Sequence, residues 1–581
     1  MAAHDAVAPW LIVASAVTIV LATTAVWVAG GIASLLTTGR WPQAAWSPAL
    51  LAAATGRGEW AWDPAVAPGT VQMGAAFLLL VVLVPSGVMA VHLMTRGPRS
   101  DSFYRALGVP EHVASLQLPA QRQAASRLRT ESLSAIRTNQ IPPTDAGVAL
   151  GRVDTGRGAG PTVYAGWEDV MLALMAPRSG KTTSVAIPAI LSAPGAVVAT
   201  SNKLDLLYTA RLRQERTGVA PWVFDPQSVA RTPRTWWWNP LAGVTTVEEA
   251  ERLAGHFIST VADSEGRDAI WPMSATELLS ALFLAATNCG ADVRQVYKWL
   301  ANEHDPAPAG ILDDAGFDVL ASSLRGLMAC APETRASVYF TARSGARCLR
   351  NPQITDWVTP SRLPRLDPAQ FVTVRSTLYL LSKDSGGSAA PLVAALTDRV
   401  LRAGEQTAEA RGGRLDPPLV VVLDEAASVA PIRDLPKLYS HYGSRGIMAC
   451  TILQSMAQGE AVWGRGGMEA LWAAATIKLV GAGIDSEAVA SQISKLIGEQ
   501  DVATVSITSG RGGSRSTSLT SRPVLTAAQV RAIPKGTALL MATGSRPVLL
   551  RLDPFYTGPD AAAVTQEAAA LTARIAEQAR S

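Results

Sequence analysis

Hydrophobic positions along the chain fall into three regimes. From residue 10 to residue 36 no Asp, Glu, Lys or Arg occurs, and this run of about 27 residues exceeds the roughly 20 that a helix needs to cross a bilayer. A second run, residues 74–94, contains FLLLVVLVP and stops before Arg96 and Arg99. It has the length and flank of another spanning helix, with Pro85 placed to kink it. Neither run shows the polar face of a soluble core helix. The first is also longer than the apolar stretch of a cleaved signal peptide, and residues 1–9 lack its Lys or Arg. After the second run come Arg96, Arg99, Arg105, Arg122, Arg127, Arg129 and Arg137 against Asp101, Glu111 and Glu131, a balance that predicts a cytoplasmic location. Two crossings then place the N-terminus inside as well. The segment between them, residues 37–70, becomes a short external loop with Trp41, Trp46, Trp60 and Trp62 near the interface.

Beyond Arg137 short β-branched runs alternate with longer helical stretches, which predicts a mostly parallel sheet flanked by helices. VMLALM (170–175), AVVAT (196–200), WVFD (222–225), LVVVLD (419–424) and MACTIL (448–453) are the buried strands. Between residue 246 and about residue 368 the β pattern vanishes, and VEEAERLAGHFISTVA, MSATELLSALFLAAT and VRQVYKWLAN predict an all-α domain inserted into the sheet domain. The expected division is a membrane anchor over 1–95, a basic juxtamembrane linker over 96–150, and a nucleotide-binding domain over 151–245 and 369–558. The α domain occupies 246–368, and 559–581 is an Ala-rich surface helix or tail.

Composition adds limits. With 581 residues, 48% hydrophobic and 17% charged, the chain exceeds one simple soluble domain. A net charge of +4 neither demands nor excludes a nucleic-acid partner, because patches rather than totals make the electrostatic footprint. Cys289, Cys330, Cys348 and Cys450 are widely separated, without a C-x-x-C pair or clustered histidines. They read as reduced, buried thiols of a cytosolic body rather than zinc ligands.

The candidate chemistry lies at strand ends. MAPRSGKTT (175–183) follows one apolar strand and precedes a helix-compatible run, the setting of a phosphate-binding loop. Ala176, Pro177, Arg178, Ser179, Gly180, Lys181, Thr182 and Thr183 are its residues. Gly180 permits the tight turn that aims backbone N–H groups at phosphates. Lys181 reaches the β and γ oxygens of ATP, and the Thr182 hydroxyl serves Mg²⁺. Met175 stands where G-x-x-x-x-G-K-[ST] has its first glycine. LVVVLDEAA (419–427) ends another strand in two carboxylates. Asp424 is expected to orient the metal's water shell and Glu425 to polarise the attacking water. Alternation on an extended strand sends the two in opposite directions, so that they divide the work. Gln454, after MACTIL, either positions the lytic water or is a hydrogen-bonded strand-end amide.

Two N-terminal crossings, the P-R-S-G-K-T loop, a helical insert, DEAA-x-V-A-P-I and I-L-Q-S-x-A-Q together resemble the coupling-protein ATPases of type IV secretion and conjugation, the TraG/TraD type. SNKLDL (201–206), WNPL (238–241), ETRASVY (333–339), STLYLL (376–381), GSRGI (443–447) and the closing LTAAQVRAIPKGTALLMATGSRPVLLRL extend the likeness over nearly the whole chain. The resemblance implies a RecA-like P-loop NTPase domain assembled as a homo-hexamer on the inner membrane. It would take relaxase-bound single-stranded DNA, or protein effectors, to a secretion channel, with the helical insert selecting cargo.

A hexameric motor commonly completes each site with a neighbour's arginine. Arg445 in GSRGI is the first candidate and Arg343 and Arg347 the others, each weighed against a solvated surface arginine. SGRGGSRSTSLTSR (509–522) carries Arg511, Arg515 and Arg522 and reads equally as a pore-lining element or a plain loop. Lys203 and Asp205 stand near the crevice, with a structural ion pair as the plainer reading. Trp236, Trp237 and Trp238 stack bases or, more simply, pack between domains. Against a coupling ATPase stand a septal double-stranded DNA translocase, an exporter of proteins alone, and a docking platform that does not hydrolyse nucleotide.

Overall fold

The computed structural model describes residues 8–79, 107–156, 158–259, 261, 270–383, 388–507 and 515–580. The chain divides into two compact units, Met1–Ser100 and Asp101–Ser581.

In the first unit α1 (Ala8–Thr38) contains Ile19–Thr38, long and apolar enough to cross a membrane. Thirty-one residues of helix span about 46 Å against a hydrocarbon core of about 30 Å, so α1 has length to spare. The loop after it folds back onto that surplus through α2 (Ala49–Ala54) and its tryptophans. Trp27 donates to the Ala44 carbonyl and Trp46 to the Thr24 hydroxyl. A side chain on Gly30 would strike Trp62, and one on Gly31 would strike Trp41; small residues here let ring and backbone meet, as in membrane helix packing. Trp62 is therefore buried, whereas Trp41 and Trp46 stay exposed. Residues 68–79 form the start of the second apolar helix; the rest of that run, with Arg96, Arg99 and Arg105, lies outside the described residues.

The second unit is built on an eleven-stranded sheet. Its strands are β1 (Val148–Asp154), β2 (Ala159–Ala165), β3 (Met171–Leu174), β4 (Val197–Ser201), β5 (Trp222–Phe224), β6 (Thr377–Leu381), β7 (Leu419–Leu423), β8 (Ile447–Leu453), β9 (Ile477–Gly481), β12 (Thr537–Ala542) and β13 (Val548–Arg551), with β10 (Glu499–Ile507) and β11 (Arg515–Pro523) pairing as a separate ribbon. The order is β2-β1-β13-β12-β9-β3-β8-β7-β4-β6-β5. From β9 to β5 all neighbours are parallel, and the four remaining strands extend the sheet antiparallel. The parallel strands are mostly apolar because both faces are covered: Leu172, Val198 and Val421 face one core, Met171, Val197 and Val420 the other.

Helices supply both covers. α3 (Leu118–Leu128) and the turns around it give order to the later part of the basic stretch, burying Val113, Leu116 and Ala125. α4 (Ile187–Ser192) covers the same face. The insert runs through α5 (Val247–Ile258), α6 (Ile270–Asn288), α7 (Val293–Ala301), α8 (Ala307–Asp314), α9 (Asp318–Ala329) and α10 (Pro332–Gly345). α5 begins where Thr246 accepts from the Glu249 amide, a cap visible in TTVEE. α6 is apolar enough to span a membrane, yet Leu278, Leu282 and Phe283 are buried among the other helices, which makes it the interior helix of the insert. α11 (Ala390–Ala410), α12 (Leu435–Tyr442) and α13 (Met456–Ala474) share that face of the sheet. The closing helix α14 (Ala561–Arg580) buries Val564 and Leu571, so it is docked rather than a free tail.

Three expectations are corrected here. Cys348 and Cys450 are buried, but Cys289 is exposed and Cys330 partly so, because both stand at helix ends of the insert. Lys203 and Asp205 make no ion pair; Asp205 opens a short turn and bonds the Tyr208 hydroxyl instead. Residues 515–522 belong to a strand, paired across the ribbon with 500–507, while Arg511 lies outside the described residues. The three tryptophans pack: Trp236 meets Trp222 and Trp357 edge-on, and the indoles of Trp236 and Trp237 donate to backbone carbonyls.

Candidate active site

The phosphate loop leaves β3 at its carboxyl end. Arg178 and Gly180 both have positive φ, 62° and 98°, and flank Ser179, whose amide and hydroxyl bond the Ala176 carbonyl. Such an alternation of backbone conformations is the kind that forms an anion-binding nest. Thr182–Ala186 is wound as a π turn ahead of α4. Pro188 lacks the N–H that would bond the Ser184 carbonyl, and the wider turn absorbs the loss.

Met175 fits because its neighbours give way. A Cβ on Gly481 would lie 2.9 Å from Met175 Cγ, and one on Gly483 2.3 Å from Ala176 Cβ. Met175 is fully buried, its amide bonded to the Leu453 carbonyl. The bulk missing from the β9 end thus reappears at the head of the loop.

Across the carboxyl edge, β7 and β8 bring the remaining groups to the same place. Lys181 Nζ lies 3.2 Å from Asp424 Oδ1 and also contacts Glu425 Oε1. The Thr182 hydroxyl donates to Asp424 Oδ2 at 3.1 Å. Gln454 Nε2 lies 2.7 Å from each oxygen of Glu425. Lys181, Asp424 and Glu425 are all buried. Adjacency on a strand predicted divergent carboxylates, and the structure overturns this: Glu425 has φ 55°, so the strand has ended and both acids face one ammonium.

Burial raises the Asp424 carboxyl above its ordinary range, and Glu425 adds to the rise, against the opposing pull of Lys181 and Thr182. Asp424 Oδ1 is buried with the Lys181 ammonium beside it and has no further polar partner. A carboxylate so placed, beside the Thr182 hydroxyl and a backbone nest, fits Mg²⁺ held with a nucleotide's phosphates, since magnesium takes few protein ligands. Among the described residues no cluster of three or more His, Cys, Asp or Glu offers a site of another kind.

Two supporting residues were not foreseen. The Thr200 hydroxyl, from β4, donates to the Asp424 carbonyl at 3.3 Å. The buried Tyr439 hydroxyl lies beneath β3 and β8, within bonding distance of the Met171 and Ala449 carbonyls and of the Thr451 hydroxyl. Neither has a motif; both are read only once strand order is known. Arg445 does not join the cluster: it precedes β8 at the amino end of that strand, 2.7 Å from Glu409. Arg343 pairs with Glu303 in the insert, and Arg347 lies in the short turn that follows α10.

A lysine and hydroxyl on a nest-forming loop, opposed by a strand-end acid pair on a parallel sheet, define a P-loop nucleotide-binding protein with a RecA-like fold and a helical insert. Residues 418–535 match a family described as the TraM recognition site of TraD and TraG. The conjugal transfer protein TraG of Escherichia coli is 25% identical over 362 residues, covering 58% of this chain and 56% of that protein, so the match spans little more than half of that relative. Among solved structures the chain is similar to the bacterial conjugative coupling protein TrwBdeltaN70. The trigonal form with sulphate aligns at a TM-score of 0.50 and 18% identity over 66% of this chain and 86% of that one. The unbound monoclinic form aligns at 0.50 and 17%, over 66% and 85%. These likenesses are all to proteins of the TraG/TraD coupling type.

Proposed function

We propose that this chain is a membrane-anchored ATPase that couples hydrolysis to the delivery of single-stranded DNA with its bound relaxase, or of protein substrates, into a type IV secretion or conjugation channel. The observation that carries the reading is the meeting of Lys181, Thr182, Asp424, Glu425 and Gln454 at one sheet edge. Lys181 and the loop amides would hold the phosphates, and Thr182 with Asp424 would hold Mg²⁺, which would supply positive charge against the phosphates. Glu425 accepts the proton of the attacking water. Gln454, fixed by both oxygens of Glu425, orients that water.

α1 and the second apolar run anchor the chain in the inner membrane as two crossings, with the bulk cytoplasmic. Arg445 stands one strand length, about 23 Å, from its own phosphate loop, beyond the reach of an arginine side chain. In a homo-hexamer it serves the neighbouring subunit's site. The test is hydrolysis by the full chain in detergent with oligonucleotides added. Stimulation by single strands and not by duplex supports the reading. Equal stimulation by duplex points to a double-strand translocase, and none by either to protein cargo alone.

A further inference from the structure

The nucleotide cluster uses only the ends of β3, β7 and β8. The next three strands, β4, β6 and β5, present their carboxyl ends along the same edge, and each ends in a loop with an exposed cation. Ser201 pairs with Leu381, and Lys203 and Lys383 stand two residues beyond these partners, both exposed. Beyond β5 the chain wraps around Asp225, a buried carboxylate that accepts from the amides of Val229, Ala230 and Thr232. That wrap holds Arg231 exposed at a φ of 49°. Gln227 Oε1 ties the β5 and β6 loops together, accepting from the Ser382 hydroxyl and the Lys383 amide. Residues 384–387 lie outside the described residues.

Neither Lys203, Arg231 nor Lys383 is in an ion pair among the described residues. The loops are held in shape from beneath by buried polar groups, and their cations reach solvent, Lys383 with the Asp225 carboxylate near enough to feel its charge. At about 4.8 Å per strand, the three ends form a row about 10 Å long. Repeated cations on rigid supports fit a partner with repeated negative charge and no fixed sequence.

We propose that Lys203, Arg231 and Lys383, just beyond the carboxyl ends of β4, β5 and β6, form a binding surface for the phosphate backbone of single-stranded nucleic acid. This rests on the functional reading above and assigns its polymer contact. It also links the contact to hydrolysis: the Asp424 carbonyl accepts from Thr200, three residues before Lys203, so a change at the metal-side carboxylate is felt on the neighbouring strand that leads into the surface.

The full chain in detergent is titrated with a fluorescein-labelled thymidine 30-mer across a salt series, as wild type and as the triple variant Lys203→Ala, Arg231→Gly, Lys383→Ala. Glycine at 231 accepts the positive φ. Affinity at low salt should fall at least tenfold, and the slope of log affinity against log salt should drop by about 2, at about 0.7 per single-strand phosphate contact. Affinity for a fluorescent ATP analogue should be unchanged, and a Lys203→Arg, Lys383→Arg variant should keep the wild-type slope. An unchanged slope and affinity in the triple variant overturns the surface. A wild type that hydrolyses ATP yet binds no single strand also overturns it, while leaving the ATPase standing. Loss of binding to anionic vesicles with DNA affinity intact would assign the cations to a membrane and overturn it too.

Discussion

Two charged side chains in the site occupy backbone conformations that favour glycine: Arg178 at φ 62° and Glu425 at φ 55°. Such a conformation costs about 1 kcal/mol or more for a side chain of this kind. At Glu425 the return is evident, since the left-handed turn swings its carboxylate onto Lys181 and Gln454. The motif DE was legible in the sequence, but the convergence was not, because alternation along a strand predicts the reverse and nothing in LVVVLDEAA shows where the strand stops. Met175 was legible as a departure and not as a fit, since Gly481 and Gly483 lie some 300 residues away. Gly481→Ala should destabilise the protein by about 1–3 kcal/mol through overpacking, because its Cβ would come within 3.0 Å of Met175 Cε. Adding Met175→Ala should recover most of that loss. Thermal denaturation of both variants checks the pair, and equal melting points for the single and double variants would deny that the two residues share one space.

At the scale of elements, the strands that could be read are those whose sequence is one compact apolar run. β3, β4, β5, β7 and β8 are short apolar runs bounded by turn residues. β9 carries Lys478, β2 contains Gly160 and Pro161, and β6 is a five-residue strand between the insert and a long helix; each falls below the contrast that periodicity needs. The insert was legible through its caps and spacing, but its attachment was not. α5 is joined to α11 by a buried polar group: His256 Nε2 lies 3.4 Å from Asp398, and Arg252 reaches Asp398 and Asp434. Burial alone would raise the Asp398 carboxyl, but His256, Arg252 and Arg402 outweigh it and hold it below the usual range. A depressed carboxyl stabilises the fold above its unfolded pKa, about 3.9, and loses that stability as pH falls through the folded value. Asp398→Asn should therefore cost about 2 kcal/mol near neutrality, because it removes the buried carboxylate that His256 and Arg252 share. The difference from wild type should shrink only below about pH 4. Chemical denaturation across pH measures this, with hydrogen exchange in α5 reporting whether the insert is the part that loosens.

At the scale of the whole molecule, the chain is a tethered unit and a large α/β body, each with its own core. The body holds the complete candidate cluster and both faces of its sheet. A truncation beginning at residue 107 should accordingly fold without membrane or detergent and bind nucleotide with wild-type affinity. Size-exclusion chromatography and a fluorescent ATP analogue check this, and an aggregated product without binding would show that the anchor supports the site. The antiparallel strands β12, β13, β1 and β2 close the phosphate-loop side of the sheet, while β4, β6 and β5 extend the other side toward the cationic loops. One edge of one sheet thus carries the nucleotide groups and, next to them, the surface assigned to the polymer.

The whole account depends on Lys181, Asp424 and Glu425 acting on a single magnesium-bound nucleotide. The most direct measurement compares ATP binding and phosphate release by the full chain with those of Glu425→Gln and Lys181→Ala. Glu425→Gln should bind ATP as tightly as wild type while its turnover falls by about 10²-fold or more, and Lys181→Ala should lose binding and turnover together. Undiminished phosphate release from Glu425→Gln would contradict the assignment of that carboxylate and, with it, the motor that rests on it.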